Sequence, residues 1–323
     1  MLRHIGWSVA MPIVIAHRGA SGHRPEHTLA AYELGARQGA DYIEPDLVCT
    51  RDGHLVARHE NEISGTTDVA SRPELAARRT TKTIDGADYS GWFAEDLTLA
   101  ELKTLRARER IPELRPANAE HDGRYEVPTF QEVLDLAARL SRELGWAVGV
   151  YPETKHPSYH RSIGLALEPP LVAALRENGL DGPGARVFLQ SFEESSLREL
   201  GRELAVPRVQ LLGPRAGEGA TPDGLRAIAA YAQAVGPVKG LLVPRDDAGA
   251  SLDPTSFVEA AHGAGLAVHP YTFRRENLFL PAELRWSEDP AAPGDLDAEL
   301  RAFYALGVDG VFTDHPDVAV RAR

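Results

Sequence analysis

Eight short apolar runs rich in branched residues, at 13–16, 42–48, 147–152, 187–190, 209–212, 240–243, 267–271 and 310–313, punctuate this chain. They alternate with longer stretches of helical period. Short apolar runs bounded by turn signals suit strands buried on both faces, the environment of a parallel sheet whose strands are joined by crossover helices. Several helices carry their own start signals. Thr129 followed by Glu132 is a capping box opening a stretch in which Phe130, Val133, Leu134, Ala137 and Leu144 share one face, and Ser191 with Glu194 repeats the device. Thr221-Pro222 and Asp253-Pro254 each place a capping side chain before a proline suited to a first helical turn. Strand, cap and helix recurring in register predict a closed α/β barrel of eight βα units, a TIM (β/α)8 barrel, in preference to a doubly wound sheet.

Length fits that reading with some to spare. The chain has 323 residues, against about 250 for an ordinary barrel of this kind. The surplus falls at 60–127, where no βα unit is legible but charges, Gly65, Gly86, Gly91, Pro112, Pro116 and the pair Trp92-Phe93 are. A segment this long inside a compact domain is functional or a small subdomain. The expectation is one domain over 1–323, with 60–127 inserted after the second strand as a subdomain or lid over one barrel mouth. A shorter irregular stretch, 274–293, follows the seventh strand at the same mouth.

Charge narrows the partners. With 35 Lys+Arg against 47 Asp+Glu, the formal net charge is -12, which excludes broad nucleic-acid binding and a basic membrane-surface patch. An anionic substrate would need a local positive site. The only cysteine, Cys49, has no intramolecular partner; by strand parity it points away from Glu44 and Asp46 and reads as packing. In 1–16 the apolar run is broken by Trp7-Ser8 and Pro12, so no signal peptide is expected, and no stretch is long enough for a transmembrane segment. As it stands the sequence suggests a cytoplasmic protein, or a periplasmic or extracellular one if an upstream leader is missing. Nothing in it sets the oligomeric state.

Barrel active sites form at the carboxyl ends of the strands. There the chain places His17-Arg18-Gly19 after the first run, Glu44 and Asp46 in the second, His59 beyond it, Glu153 and Lys155 after the third, and Asp314-His315 after the eighth. Glu44 and Asp46 are two apart, so the strand period of two puts both on one face. Two adjacent carboxylates repel unless a proton or cation is shared. With Glu153 from the neighbouring strand they make three hard oxygen donors of the kind Ca²⁺ and Mg²⁺ prefer. An isolated E-x-D is more often a cap or salt bridge. His17 and His59 can serve as base and acid near neutral pH, although ten other histidines show how weak the residue is by itself; His121, His156 and His160 are assigned no chemistry. Arg18 and Lys155 can hold a small anion or merely neutralise the carboxylates. Phe192, Tyr271 and Phe273 offer an apolar wall or core packing, and Gln190 a hydrogen bond to a substrate hydroxyl or to its own loop. Gly19 and Gly22 permit close backbone approach or are ordinary turn glycines.

Taken together, the motifs match more than a generic barrel. His17-Arg18-Gly19-Ala20-Ser21-Gly22, Pro25-Glu26-His27-Thr28, Ile43-Glu44-Pro45-Asp46-Leu47-Val48, Thr50-Arg51-Asp52-Gly53 and His59 are followed by Tyr151-Pro152-Glu153-Thr154-Lys155 and Gln190-Ser191-Phe192. Val268-His269-Pro270-Tyr271-Thr272 and Asp309-Gly310-Val311-Phe312-Thr313-Asp314 complete the series. In this order they resemble the glycerophosphodiester phosphodiesterase family, most closely its long periplasmic bacterial subtype. The resemblance implies a TIM barrel with an insertion after strand two and one Ca²⁺ or Mg²⁺ on Glu44, Asp46 and Glu153. It also implies phosphate contacts from Arg18 and Lys155, and His17 and His59 as acid and base. The implied reaction cleaves glycerophosphodiesters such as glycerophosphocholine and glycerophosphoethanolamine to sn-glycerol 3-phosphate and an alcohol. Glu60 departs from the Asp common after the family's second histidine, and the subtype's secretory signal is missing. A related barrel phospholipase, sphingomyelinase D-like or phosphoinositide-specific, would instead show an apolar rim on the insertion, for which Trp92-Phe93 is the main candidate. A catalytically silent glycerophosphodiester-binding protein is disfavoured by the presence of both histidines and all three carboxylates.

Overall fold

The computed structural model describes residues 11–323, so the signal-peptide reading of 1–16 lies mostly outside the described residues. The first run is strand β1 (Ile13–His17). The second becomes two strands, β2 (Tyr42–Glu44) and β3 (Asp46–Cys49), because Pro45 between them has no N–H for the ladder. Strand β4 (Leu55–Ala57) folds back antiparallel onto β3. A hairpin, β5 (Thr80–Ile84) and β6 (Ala87–Gly91), stands apart as its own two-stranded sheet. The barrel resumes with β7 (Gly149–Val150), β8 (Glu153–Thr154), β9 (Leu189–Ser191), β10 (Arg208–Leu212), β11 (Ala234–Pro237), β12 (Ala267–Val268) and β13 (Gly310–Thr313). Parallel pairing runs from β13 through β1 and β2 to β7, and from β3 through β8, β9, β10 and β11 to β12. Single parallel bridges Val150–Val187 and Phe273–Thr313 join the two arcs, closing an eight-fold TIM barrel in which β2 with β3, and β7 with β8, each act as one strand.

Three sequence expectations fail in instructive ways. The sixth strand is not 240–243 but β11, six residues earlier; Lys239–Leu241 is a single 3-10 turn. The stronger apolar run loses because strand formation needs partners on both sides, and β11 has them in β10 and β12. Its small residues are what the crowded interior admits: a Cβ on Gly236 would stand 2.6 Å from Leu211 Cδ2. The Ser191 capping box does not form either. Ser191 ends β9, its hydroxyl donating to Thr154 O, and the following helix starts at Glu194. Likewise Asp253-Pro254 caps nothing; that helix begins at Phe257, after Thr255 has tied the loop to Leu241 and Leu242. The Thr129 box forms in full, opening Phe130–Leu144, and Thr221 caps Pro222–Ile228.

Strand parity sorts the core. Val14, Ala16, Ile43 and Leu47 face the surrounding helices in the main apolar cluster, with Cys49. Ile15, Tyr42, Tyr151, Val209, Ala234, Ala267 and Phe312 fill the barrel interior. A smaller third cluster, Val48, Val56, Ile63, Val69, Leu75, Ala94, Leu97, Leu102, Leu105 and Val127, gives residues 60–127 a core continuous with β3 and β4. The apolar rim that would suit a lipid substrate is missing there: Phe93 is fully buried, and half-buried Trp92 donates its indole N–H to Leu75 O at 2.7 Å. No helix among the described residues is long and apolar enough to cross a membrane.

Candidate active site

The interior parity that fills the barrel also builds its mouth. Continuing every second residue from Ile15, Tyr42, Tyr151, Phe188, Ala267 and Phe312 reaches His17, Glu44, Glu153, Gln190, Tyr271 and Asp314 at the carboxyl ends. A cavity of about 320 Å³ opens there, lined by His17, Arg18, Glu44, His59, Glu153, Lys155, Gln190, Phe192 and Tyr271, with Lys239, Thr272 and Arg274 beyond them. Nine of the eleven residues given candidate roles from sequence thus line one cavity. Asp46 sits behind it in the carboxylate cluster. Phe273 does not join the apolar wall; it is fully buried, edge-on to Phe303 at 4.9 Å.

Glu44, Asp46 and Glu153 are all buried and each brings a carboxylate oxygen within 4.8 Å of the others. Burial and the neighbouring Asp46 hold the Glu44 carboxyl well above the usual carboxylate range, and burial pushes Glu153 up to about 8. Burial pushes Asp46 up too, but Lys155 and the His27 hydrogen bond outweigh it and keep it ionised. Glu44 accepts from the Arg18 backbone N–H at 2.8 Å and from Gln190 Nε2 at 2.9 Å. Asp46 Oδ2 is 2.9 Å from His27 Nε2, while its Oδ1 is buried with no hydrogen-bond partner, as is Gln190 Oε1. Concentrated negative charge, unpaired buried oxygens and raised proton affinity are what a hard cation would relieve, so the donor set fits one divalent ion.

The cations lie around this cluster. Arg18, at a left-handed φ of 60°, ion-pairs with Glu26 at 3.0 Å and Asp46 at 3.3 Å, and Lys155 Nζ is 2.9 Å from Glu153. Both the bland and the functional roles expected of them therefore remain available at one place. Lys155 Nζ also stands 5.7 Å over the Phe192 ring, which meets Tyr271 edge-on at 6.3 Å. Phe192 is 48% exposed, so its ring presents apolar surface to the cavity. The tight first loop explains its glycines: Gly19 has φ +86°, and a Cβ there would fall 2.5 Å from the Ala31 backbone, while one on Gly22 would strike the His315 ring.

The two histidines are oriented alike. His17 Nδ1 is 2.6 Å from Asp314 Oδ1, and His59 Nδ1 is 2.7 Å from Glu60 Oε1. An ionised carboxylate only accepts, so each ring keeps its proton on Nδ1 and has Nε2 left for chemistry; at His59 the Glu60 oxygen at 2.7 Å prevails over Arg110 Nη1, a donor 3.4 Å from the same nitrogen, because the carboxylate is the nearer group. Burial and Arg18 pull the His17 pKa down to about 4, and burial with Arg18 and Lys155 lowers His59 as well. Both rings are neutral near pH 7.

Several participants were not assigned roles from sequence. Asp314 was noticed only by position; it also receives Arg115 Nη2 at 2.6 Å and Arg274 Nε at 2.9 Å. His27 and Glu26 lay in a quoted motif, and the motif was the signal that could have found them. Arg110, which ion-pairs with Glu26 and lies 3.4 Å from His59 Nδ1, comes from the insertion and had no local signal.

Comparison with known proteins agrees with the geometry. The model of the glycerophosphoryl diester phosphodiesterase family matches residues 17–318. A glycerophosphodiester phosphodiesterase of Arabidopsis thaliana is 33% identical, covering 94% of this chain and 83% of that protein. One of Haemophilus influenzae is 29% identical, covering 95% and 88%. An Oleispira antarctica phosphodiesterase, solved in complex with the product sn-glycerol-3-phosphate, shares the fold with a TM-score of 0.63 at 20% identity, covering 97% of this chain and 96% of the other. A family match that begins at His17 and extends past Asp314 takes in every strand end of the site, and the chain belongs to the glycerophosphoryl diester phosphodiesterase family.

Proposed function

We propose that His17 and His59 are the acid/base pair of a diesterase that turns glycerophosphocholine, glycerophosphoethanolamine and similar diesters into sn-glycerol 3-phosphate and an alcohol. Glu44, Asp46 and Glu153 hold one divalent cation, Ca²⁺ or Mg²⁺. Hydrolysis of glycerophosphodiesters follows from family membership. What supports the residue roles is one observation: two neutral, carboxylate-oriented histidines face the cavity that also holds the three clustered carboxylates.

When bound, such a cation lowers the pKa of a substrate hydroxyl and offsets phosphoryl charge. The chain's own groups do the rest. Arg18 and Lys155 hold the phosphate, Gln190 offers its unpaired Oε1 to a substrate hydroxyl, and Phe192 with Tyr271 flanks the organic groups. One histidine takes the proton from the glycerol hydroxyl beside the phosphate as that oxygen attacks phosphorus. The bond to the leaving alcohol breaks, and the other histidine, which takes up a proton at Nε2 when the anionic phosphate binds beside it, gives that oxygen this proton. Water then opens the cyclic phosphate with the two roles exchanged. Residues 60–127 act within the same domain as a cover for this mouth, supported by their core shared with β3 and β4.

The test is release of glycerol 3-phosphate from glycerophosphocholine. Turnover is expected only with a divalent cation, and Glu44→Ala is expected to abolish it. Full activity after thorough chelation would overturn the metal assignment.

A further inference from the structure

The hairpin of the insertion points a carboxylate at the back of the active site. Asp85 and Gly86 form its tip, both with positive φ (50° and 80°), as a two-residue Asp-Gly turn requires. Asp85 Oδ2 lies 2.5 Å from His156 Nδ1, His156 Nε2 lies 3.2 Å from Glu60 Oε2, and Glu60 Oε1 lies 2.7 Å from His59 Nδ1. A continuous path of four side chains thus runs from the hairpin to a histidine of the cavity. We propose that Asp85 is a positioning residue for His59, acting through His156 and Glu60. The inference rests on the reading of His59 as an acid/base group.

The chemistry of the path is directional. A histidine with a carboxylate oxygen at each ring nitrogen satisfies both only by donating from both, as the imidazolium. Burial, Lys155 next in sequence and His160 on the following helix disfavour that charge, while the hydrogen bonds to Glu60 and Asp85 favour it; the balance raises the His156 pKa. Glu60, between an imidazolium and Lys155, stays ionised and can only accept from His59. Asp85 therefore sets the His59 tautomer at three removes. The backbone points the same way: His156 is a non-glycine residue with φ 47° immediately before Pro157, a conformation disfavoured twice over, and its side chain is what both carboxylates grip. Asp85 is the exposed end of the path at 54%, while His156 at 18% and His59 at 22% are largely buried.

The test uses steady-state kinetics of the full metal-loaded chain on glycerophosphocholine, with His59→Ala as the reference. Asp85→Asn is expected to lower kcat about five- to tenfold with KM within about twofold, less than the roughly 10- to 100-fold typical of a group bonded directly to the oriented histidine, because Asp85 acts through two intervening side chains. Asp85→Asn combined with His156→Gln is expected to be no slower than His156→Gln alone, because the two act on one path. Nitrogen-15 NMR of the histidines is expected to show His59 held as the Nδ1–H tautomer in the parent and mixed in Asp85→Asn. Unchanged kcat in Asp85→Asn, a loss confined to KM, or full additivity with His156→Gln would overturn the proposal while His59→Ala stays inactive. Activity in His59→Ala would instead overturn the reading beneath it.

Discussion

At the level of single residues, what distinguishes His17 and His59 from the other histidines is an acidic partner on Nδ1 and a place on the cavity wall. His269 is buried too, but its Nδ1 is taken by Tyr151 OH at 2.8 Å inside the barrel. Replacing His17 or His59 by Ala is expected to cut turnover at least about 10²-fold, the ordinary contribution of a positioned acid or base; near-normal rates would remove that residue from the mechanism. Asp314→Asn should be nearly as damaging, about 10- to 10²-fold in kcat with little change in KM, since it leaves His17 free to take the wrong tautomer. Its sequence position at a strand end was visible; its role was not. His17 and Asp314 are 297 residues apart, and no local pattern carries information across that distance.

Elements were legible where a local signal and the tertiary need agreed. The helix Phe130–Leu144 is the clear case: both halves of the Thr129–Glu132 box are formed, the apolar face is buried, and Gly145 ends it in the left-handed conformation. Thr129→Ala is expected to cost about 1 kcal/mol of stability, read as a lower urea midpoint with kcat unchanged, because the cap lies away from the cavity. A drop in kcat with an unchanged midpoint would contradict this assignment. The sixth strand shows the opposite outcome. Ala234–Pro237 is a weaker apolar run than 240–243, yet only it can pair with both neighbours while leaving room for Leu211. Pairing is a property of three segments at once, and a reading of one segment misses it.

For the whole molecule, the acid excess and the phosphate substrate are reconciled by where the charges sit. Glu26, Asp46 and Asp314 are held below the usual carboxylate range, despite burial, by arginine, lysine and histidine neighbours, whereas Glu44 and Glu153 are pushed above it by burial. The raised pair sets a pH dependence. Between the unfolded value of 4.5 and about 8, folded Glu153 retains a proton that the unfolded chain lacks. Stability from this group is therefore complete below 4.5 and is lost as pH rises toward 8. A cation held by the proposed cluster would take the place of that proton, so adding Ca²⁺ or Mg²⁺ is expected to raise the melting temperature more at pH 8 than at pH 5. An equal shift at both, followed by differential scanning fluorimetry, would argue that the cation binds elsewhere. By itself, the sequence determined the barrel and the ring of side chains at its mouth, because a period of two along each buried strand dictates which residues reach it. Only the tertiary structure decided which of those residues act on one another. Arg115 reaching Asp314, Arg110 reaching Glu26 and Asp85 reaching His156 all join the insertion to the barrel. Such pairs exist only once the barrel has closed and the insertion has packed on its mouth, since charge partners are chosen by proximity in space and not by spacing along the chain.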